Sequence, residues 1–196
     1  LAPSGAPSAA GGPALARVAL RLDPIVGGLD DVTDFALVPD GRILLAERSG
    51  RIRVVQDGQL QAEPAAVLDD VTTGDGKGLL TIALDPQFAQ TPFVYVVHTT
   101  ETGLQLVRLL ESGGTLINRV VLLDHVSSRP TQPRASLRFG PDKGLYLATD
   151  DGGDVTRPGD LGSYNGKVLR LNADGTTPVD QPSGSPVYVM GLASPR

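Results

Sequence analysis

Pro39-Asp-Gly-Arg-Ile-Leu-Leu-Ala-Glu-Arg48 is met again, altered, as Pro141-Asp-Lys-Gly-Leu-Tyr-Leu-Ala-Thr-Asp150. A short apolar stretch precedes each copy, Phe35-Ala-Leu-Val38 in the first and Leu137-Arg-Phe-Gly140 in the second. After a gap each is followed by another strand-like run, Arg51-Ile-Arg-Val-Val55 and Lys167-Val-Leu-Arg-Leu171. A looser third copy lies between them: Thr81-Ile-Ala-Leu-Asp-Pro86, a longer turn, then Phe93-Val-Tyr-Val-Val97. From Pro39 to Pro86 is 47 residues, and from Pro86 to Pro141 is 55. An internal period of that size marks units that stack or are arranged radially. The Pro-Asp-Gly turn puts Pro where φ must lie near −65° and Gly where φ can be positive.

The 24 Gly and 16 Pro make up about a fifth of the 196 residues and fall mostly between apolar runs. That is the punctuation of many short strands. No stretch carries apolar residues at helical spacing over several turns, so the expected class is all-β. Residues 1–13, rich in Ala, Pro, Gly and Ser, read as a flexible tail, either a remnant of cleavage or an end without a role. Residues 14–22 alternate through Leu15, Val18, Leu20 and Leu22 in the manner of an edge strand. Units of about four strands are expected at 32–68, 78–123 and 136–171, with a fourth beginning at 185–196. Four strands in about 45 residues is the size of a β-propeller blade, and closed propellers need about four to eight blades. Residues 14–196 are therefore expected to form a partial propeller of about three to three and a half blades. Its open edges call for further blades, a second copy or another subunit.

A formal net charge of −5 with scattered basic residues argues against nucleic acid as a partner. No apolar run approaches the roughly 20 residues needed to cross a bilayer as a helix. Cysteine is absent, so no disulfide contributes.

The wording of the repeats is more specific than their spacing. Pro39 to Val55, Gly78-Leu-Leu-Thr-Ile-Ala-Leu-Asp-Pro-Gln-Phe-Ala89, Leu137-Arg-Phe-Gly-Pro-Asp142, Gly166-Lys-Val-Leu-Arg-Leu-Asn-Ala-Asp-Gly175 and Gly184-Ser-Pro-Val-Tyr-Val-Met-Gly191 occur in that order. Together they resemble the glucose/sorbosone dehydrogenases, soluble quinoproteins built as six-bladed propellers. The resemblance implies pyrroloquinoline quinone and calcium as cofactors, aldose oxidation as activity and a place outside the cytoplasm, with which the Ala/Pro/Gly/Ser-rich tail agrees. It also implies a histidine general base opening a His-x-Gly-Gly-x-x-x-Phe-Gly-Pro-Asp motif. The matching stretch here is Gln132-Pro-Arg-Ala-Ser-Leu-Arg-Phe-Gly-Pro-Asp142, so the base position holds Gln132 and the glycines are Arg134 and Ala135. Glutamine has no pKa near neutrality and cannot serve as a base. The family's Gly-His-Arg-Asn-Pro-Gln reads Gly191-Leu-Ala-Ser-Pro-Arg196, with Ala193 in the arginine's place. Before Gly78-Leu-Leu, where the family has Glu or Gln, stand Asp75, Gly76 and Lys77.

Other candidates are weaker. His98 and His125 lack a second His, a Cys or a suitably spaced carboxylate, and read as structural or surface residues. Adjacent strand residues point to opposite faces, which sets Asp124 apart from His125. Asp150, Asp151 and Asp154, with Asp160, form the densest carboxylate cluster, readable as calcium ligands or as a solvated turn. Asp69, Asp70 and Asp75 form a similar acidic stretch. Gly74-Asp-Gly-Lys-Gly78 lacks P-loop spacing, and Ser163 and Ser194 have no base partner. The expectation is a sugar dehydrogenase-like propeller module, non-catalytic as it stands, used for binding or assembly. The alternative is the N-terminal part of a quinone-dependent aldose dehydrogenase in which Asp150 or His98 replaces the base. A third reading is a structural subunit of a larger assembly.

Overall fold

A computed structural model describes residues 20–181 and 184–194. The expected tail at 1–13, residues 14–19 of the expected first strand, and residues 195–196 lie outside the described residues. Leu20 and Leu22 belong to no strand and are almost fully exposed, so this end of the expected edge strand is not one. Alternation makes a strand only where a neighbouring strand accepts its backbone hydrogen bonds, and among the described residues none pairs with Leu20 to Leu22.

The chain forms three antiparallel sheets in sequence order. The first contains β1 (Val32–Leu37), β2 (Ile43–Glu47), β3 (Arg51–Gln56) and two short pieces, β4 (Gln59–Leu60) and β5 (Ala66–Val67). β4 and β5 pair with opposite ends of β3 and so share the outermost position. The second contains β6 (Leu79–Leu84), β7 (Phe93–Thr100), β8 (Gly103–Ser112) and β9 (Thr115–Val126), in that spatial order. The third contains β10 (Ala135–Phe139), β11 (Leu145–Thr149), β12 (Lys167–Leu171) and β13 (Val187–Met190). Among the described residues the only helical element is a three-residue 3₁₀ turn, Arg157–Gly159. The all-β expectation holds.

One boundary differs. The segment expected to open a fourth unit at 185–196 instead supplies β13, which pairs with β12 as the outer strand of the third sheet. Arg170 N–H donates to Pro186 O at 2.8 Å, drawing the chain back across the sheet. β12 needs a partner on its free edge, and the motif Gly184 to Gly191 provides it.

The repeated turns have a common physical basis. Gly41 N–H donates to Val38 O at 2.9 Å and Val38 N–H to Arg42 O at 2.8 Å. In the third sheet Lys143 N–H donates to Gly140 O at 3.0 Å and Gly140 N–H to Gly144 O at 2.9 Å. Each Asp caps the turn through its own carboxylate, Asp40 accepting from Arg42 N–H and Asp142 from Gly144 N–H. The third turn position requires positive φ, which Gly41 adopts at 94° and Lys143, without a glycine's freedom, at 63°.

The second sheet lies between the other two. On β7, Val94 and Val96 pack into the core shared with the first sheet, around Leu44, Ile52 and Val54. Tyr95 and Val97 face the core shared with the third sheet, around Leu137, Leu147 and Leu169. That is why Phe93-Val-Tyr-Val-Val97 reads as an unbroken apolar run: both of its faces are buried. Burying each such Leu or Val contributes about 1.5–3 kcal/mol. The Tyr95 hydroxyl donates to Ala173 O at 2.9 Å, and burial pushes its pKa to about 12. No described residue covers the outward faces of the first and third sheets. Phe35 and Leu37 are exposed on one, Tyr188 and Met190 on the other.

The innermost strands β1, β6 and β10 run side by side, with β6 in the middle. Asp34 on β1 joins all three. Its Oδ2 accepts from Thr81 Oγ1 at 2.6 Å, from Ile82 N–H at 3.1 Å and from Arg138 Nη1 at 3.2 Å. These three strands all begin at one end of the molecule, and their leading loops meet there.

Candidate functional site

At that end a cavity of about 810 Å³ opens between the sheets, within the usual range for small-molecule sites of about 300–1,000 Å³. The first sheet contributes Asp31 and Thr33 at the start of β1 and Arg48 after β2. The loop before β6 contributes Gly74, Asp75 and Gly76, the segment before β10 contributes Gln132 and Arg134, and Ala135 opens β10 beside them. Three sequence features far apart in the chain therefore share one wall: the Pro39–Arg48 repeat, the acidic stretch ahead of Gly78, and the altered histidine motif.

Gly78 sets how closely these parts approach. It sits at φ +141°, and a Cβ there would collide with the backbone oxygen of Arg48. With hydrogen in that place, Leu79 N–H reaches Arg48 O at 3.0 Å, and Gly78 N–H reaches Thr99 Oγ1 at 2.7 Å. Arg48 is thereby pinned from behind while its side chain turns into the cavity. Its Nε donates to Asp31 Oδ2 at 2.6 Å and its Nη1 to Gly76 O at 2.7 Å. The bond to Gly76 O joins the first sheet to the loop before β6, and with the ion pair to Asp31 it leaves the guanidinium largely committed.

Gln132 adopts φ 48° and donates its N–H to Asp75 O at 2.6 Å. Its side-chain amide, the Arg134 guanidinium and the Asp75 carboxylate make no hydrogen bond or ion pair with the described residues, so these three face the cavity ready for a ligand. An amide, a guanidinium and a carboxylate can donate to and accept from a polyhydroxylated molecule. The amide cannot take a proton from one.

The two alternative bases lie elsewhere. His98 on β7 is fully buried beneath Arg119, whose Nη2 is 3.4 Å from the ring Nε2 and donates to Asp70 and Gln105. Burial lowers the His98 pKa, against the pull of the Asp70 carboxylate. Burial also acts to raise Asp70, but the bond from Arg119 and nearby positive charge outweigh it and hold that carboxyl low. Asp150 is fully buried behind the cavity wall. Its carboxylate accepts from Arg134 N–H at 2.6 Å and Gly152 N–H at 2.8 Å, and burial, partly offset by those bonds, raises its pKa. Neither side chain lines the cavity. His125 is exposed at φ 55°, a turn of the backbone that brings its Nε2 to 3.5 Å from Asp124 Oδ2 despite their adjacent positions.

The carboxylates read as calcium ligands are not assembled into a shared set. Asp150 is spent on backbone donors, Asp151 accepts from Gly153 N–H at 2.8 Å, and Asp154 accepts from Thr156 at 3.0 Å and 2.7 Å. Asp70 is spent on Arg119, while Asp75 lies apart in the cavity. Among the described residues no group of three or more His, Cys, Asp or Glu side chains could hold a metal ion. Ala193 is exposed, and its carbonyl accepts from Asp151 N–H at 3.3 Å. The Ser163 hydroxyl is used by its own turn, accepting from Asn165 N–H at 3.1 Å. Gln132 carries an amide and Ala193 a methyl, and no acidic triad is assembled among the described residues.

The sequence reading missed Asp34, Arg48 and Asp31. Arg48 and Asp31 carried no motif of their own, although Arg48 ends the repeated phrase. Among the described residues no helix is long and apolar enough to cross a membrane.

The pattern of the glucose/sorbosone dehydrogenase family matches residues 29–192. An uncharacterized protein of Synechocystis is 33% identical over 187 residues, covering 83% of this chain and 45% of that protein. Quinoprotein glucose dehydrogenase B of Acinetobacter calcoaceticus is 29% identical over 196 residues, covering 81% of this chain and 41% of that enzyme. The structure of the PQQ-bound aldose sugar dehydrogenase of Streptomyces coelicolor superposes with a TM-score of 0.80 at 30% identity, covering 88% of this chain and 54% of that one. The chain thus spans less than half the length of these two curated relatives. Motif order, sheet architecture and these likenesses agree, and the chain belongs to the glucose/sorbosone dehydrogenase family.

Proposed function

We propose that this chain is a sugar dehydrogenase-like propeller module that binds a small polar ligand in the cavity between its three sheets without oxidising it. The observation that carries this reading is Gln132: it lies on the cavity wall, at the position the resemblance gives to the general base, with an amide in place of an imidazole. His98 and Asp150 lie outside the cavity, so neither supplies the missing base from where it stands. Binding, orientation and exclusion of water remain available to Arg134, Asp75 and the Asp31–Arg48 pair. The module works outside the cytoplasm, with the open faces of its first and third sheets covered by further chain or by another subunit. Cell fractionation and light scattering on the purified protein test these two points; a cytoplasmic location contradicts the first, and a monodisperse monomer no longer than this chain contradicts the second.

The decisive experiment is reconstitution with pyrroloquinoline quinone and calcium, followed by glucose and an artificial electron acceptor. No acceptor reduction above a protein-free control is expected. Quinone-dependent reduction refutes the proposal.

A second reading, a working aldose dehydrogenase whose remaining site residues lie on further chain, is favoured by Asp75. That carboxylate faces the same cavity as Gln132 with no ion-pair partner among the described residues. In this reading D75N abolishes acceptor reduction by the longer parent protein; retained activity in D75N removes Asp75 from the role.

A further inference from the structure

A second cavity, of about 330 Å³, adjoins the first across two shared loops. The loop before β6 gives Asp75 and Gly76 to the first cavity and Lys77 to the second. The segment before β10 gives Gln132 and Arg134 to the first, and Ser127, Ser128 and Arg129 to the second. Arg157, from the 3₁₀ turn, closes the far side, with Thr100 and Thr102 beside it.

The charges here are only loosely paired. Arg42, Arg48, Arg51, Arg119 and Arg170 each hold a carboxylate oxygen within 2.9 Å. Arg129 and Arg157 reach Asp151 and Asp154 only at 3.5 Å, through Nε, and their terminal nitrogens make no hydrogen bond with the described residues. The Lys77 ammonium has no partner among them. One lining carboxylate, Glu101, stands against these three cations, with Asp151 and Asp154 behind the two arginines. A guanidinium held by one edge leaves its other edge free for the two-point grip that suits an oxyanion.

The walls are held from behind by buried polar groups. Asn165 Nδ2 donates to Ser127 O at 2.7 Å and Asp150 O at 3.1 Å, tying the two sides together. Lys167, fully buried on β12, donates to Arg157 O at 2.7 Å, Pro158 O at 3.2 Å and Asn165 O at 2.8 Å. These bonds fix the backbone that carries Arg157, so the site is arranged before any ligand arrives.

We propose that Lys77, Arg129 and Arg157, brought to one cavity by the loops before β6 and β10 and the 3₁₀ turn, form a site for a doubly charged phosphate, free or esterified to a small polar molecule. The site is separate from the cavity of the proposed function and stands or falls independently of it.

Isothermal titration calorimetry with inorganic phosphate, at ionic strength matched with chloride, tests it. Saturable binding is expected, weakened at least tenfold in K77A and in R157A and unchanged in K143A, which removes a lysine from the opposite end of the molecule. R157K keeps the charge but loses the fork, and is expected to fall between wild type and R157A. Glucose 6-phosphate binding more tightly than inorganic phosphate identifies an ester as the ligand; the reverse identifies free phosphate. Gluconate binding as tightly as phosphate overturns the preference for a dianion. Equal binding by K77A and wild type, equal loss in K143A, or no heat above the chloride control overturns the site.

Discussion

Replacing Gly78 by alanine probes how the cavity is built, because one hydrogen atom there allows the first and second sheets to touch. Two costs arise. At φ +141° an L side chain is strained by about 1–3 kcal/mol. The new methyl also meets Arg48 O and Arg48 Cγ, and moving away breaks the 3.0 Å bond from Leu79 N–H to Arg48 O, worth about 0.5–1.5 kcal/mol. Together they give about 2–4 kcal/mol of destabilisation. Gly41 is the control: its φ is +94°, but an added Cβ meets nothing within 4 Å, so G41A bears strain alone. Urea unfolding of wild type, G78A and G41A, with similar slopes, is expected to place G78A at least about 1 kcal/mol below G41A. In thermal unfolding that gap is about 2–4 °C for a chain of this length. If G78A is no less stable than G41A, the close contact with Arg48 does not hold the sheets together and the account of the cavity wall fails.

Two further outcomes follow from other parts of the fold. D34A removes the acceptor shared by Thr81, Ile82 and Arg138; hydrogen bonds to a charged group are worth about 1.5–3 kcal/mol each, discounted here because Arg138 is mostly exposed, so a loss of about 2–4 kcal/mol is expected. An unfolding midpoint within error of wild type would contradict that role. The pKa of His98 is lowered on folding, so between that value and the unfolded value of about 6.5 the unfolded chain binds more protons, and stability is lost as the pH drops through that window. H98Q is expected to flatten the stability difference between pH 7.5 and pH 5; an unchanged slope would place the sensitivity elsewhere.

Much of the fold was legible from particular stretches. The Pro-Asp turns at Pro39 and Pro141 announced themselves because a tight turn restricts φ locally, and the structure reproduces one hydrogen-bond pattern in both. Phe93 to Val97 declared a strand buried on both faces. Val187 to Met190 was read as a strand but given to the wrong unit, since pairing depends on which edge is free and not on the strand's own residues. The Leu20–Leu22 alternation failed for the same reason. The altered histidine motif directed attention to Gln132, and the structure places that residue in the main cavity. Asp34, Arg48 and Asp31 stayed hidden, because lone charged residues acquire meaning only from what they face. The pairing of Asp124 with His125 was set aside from strand alternation, and a positive φ at His125 restored it.

By itself the sequence determined what short-range physics governs: strand and turn identity, the period of the repeat, and the residue types standing at motif positions. Tertiary structure alone decided which loops converge. Asp31, Arg48, Asp75 and Gln132 are spread over about a hundred residues, and they meet because β1, β6 and β10 lie side by side with their leading ends together. That alignment comes from packing two apolar faces of the central sheet against its neighbours, a long-range balance of burial that no local stretch encodes.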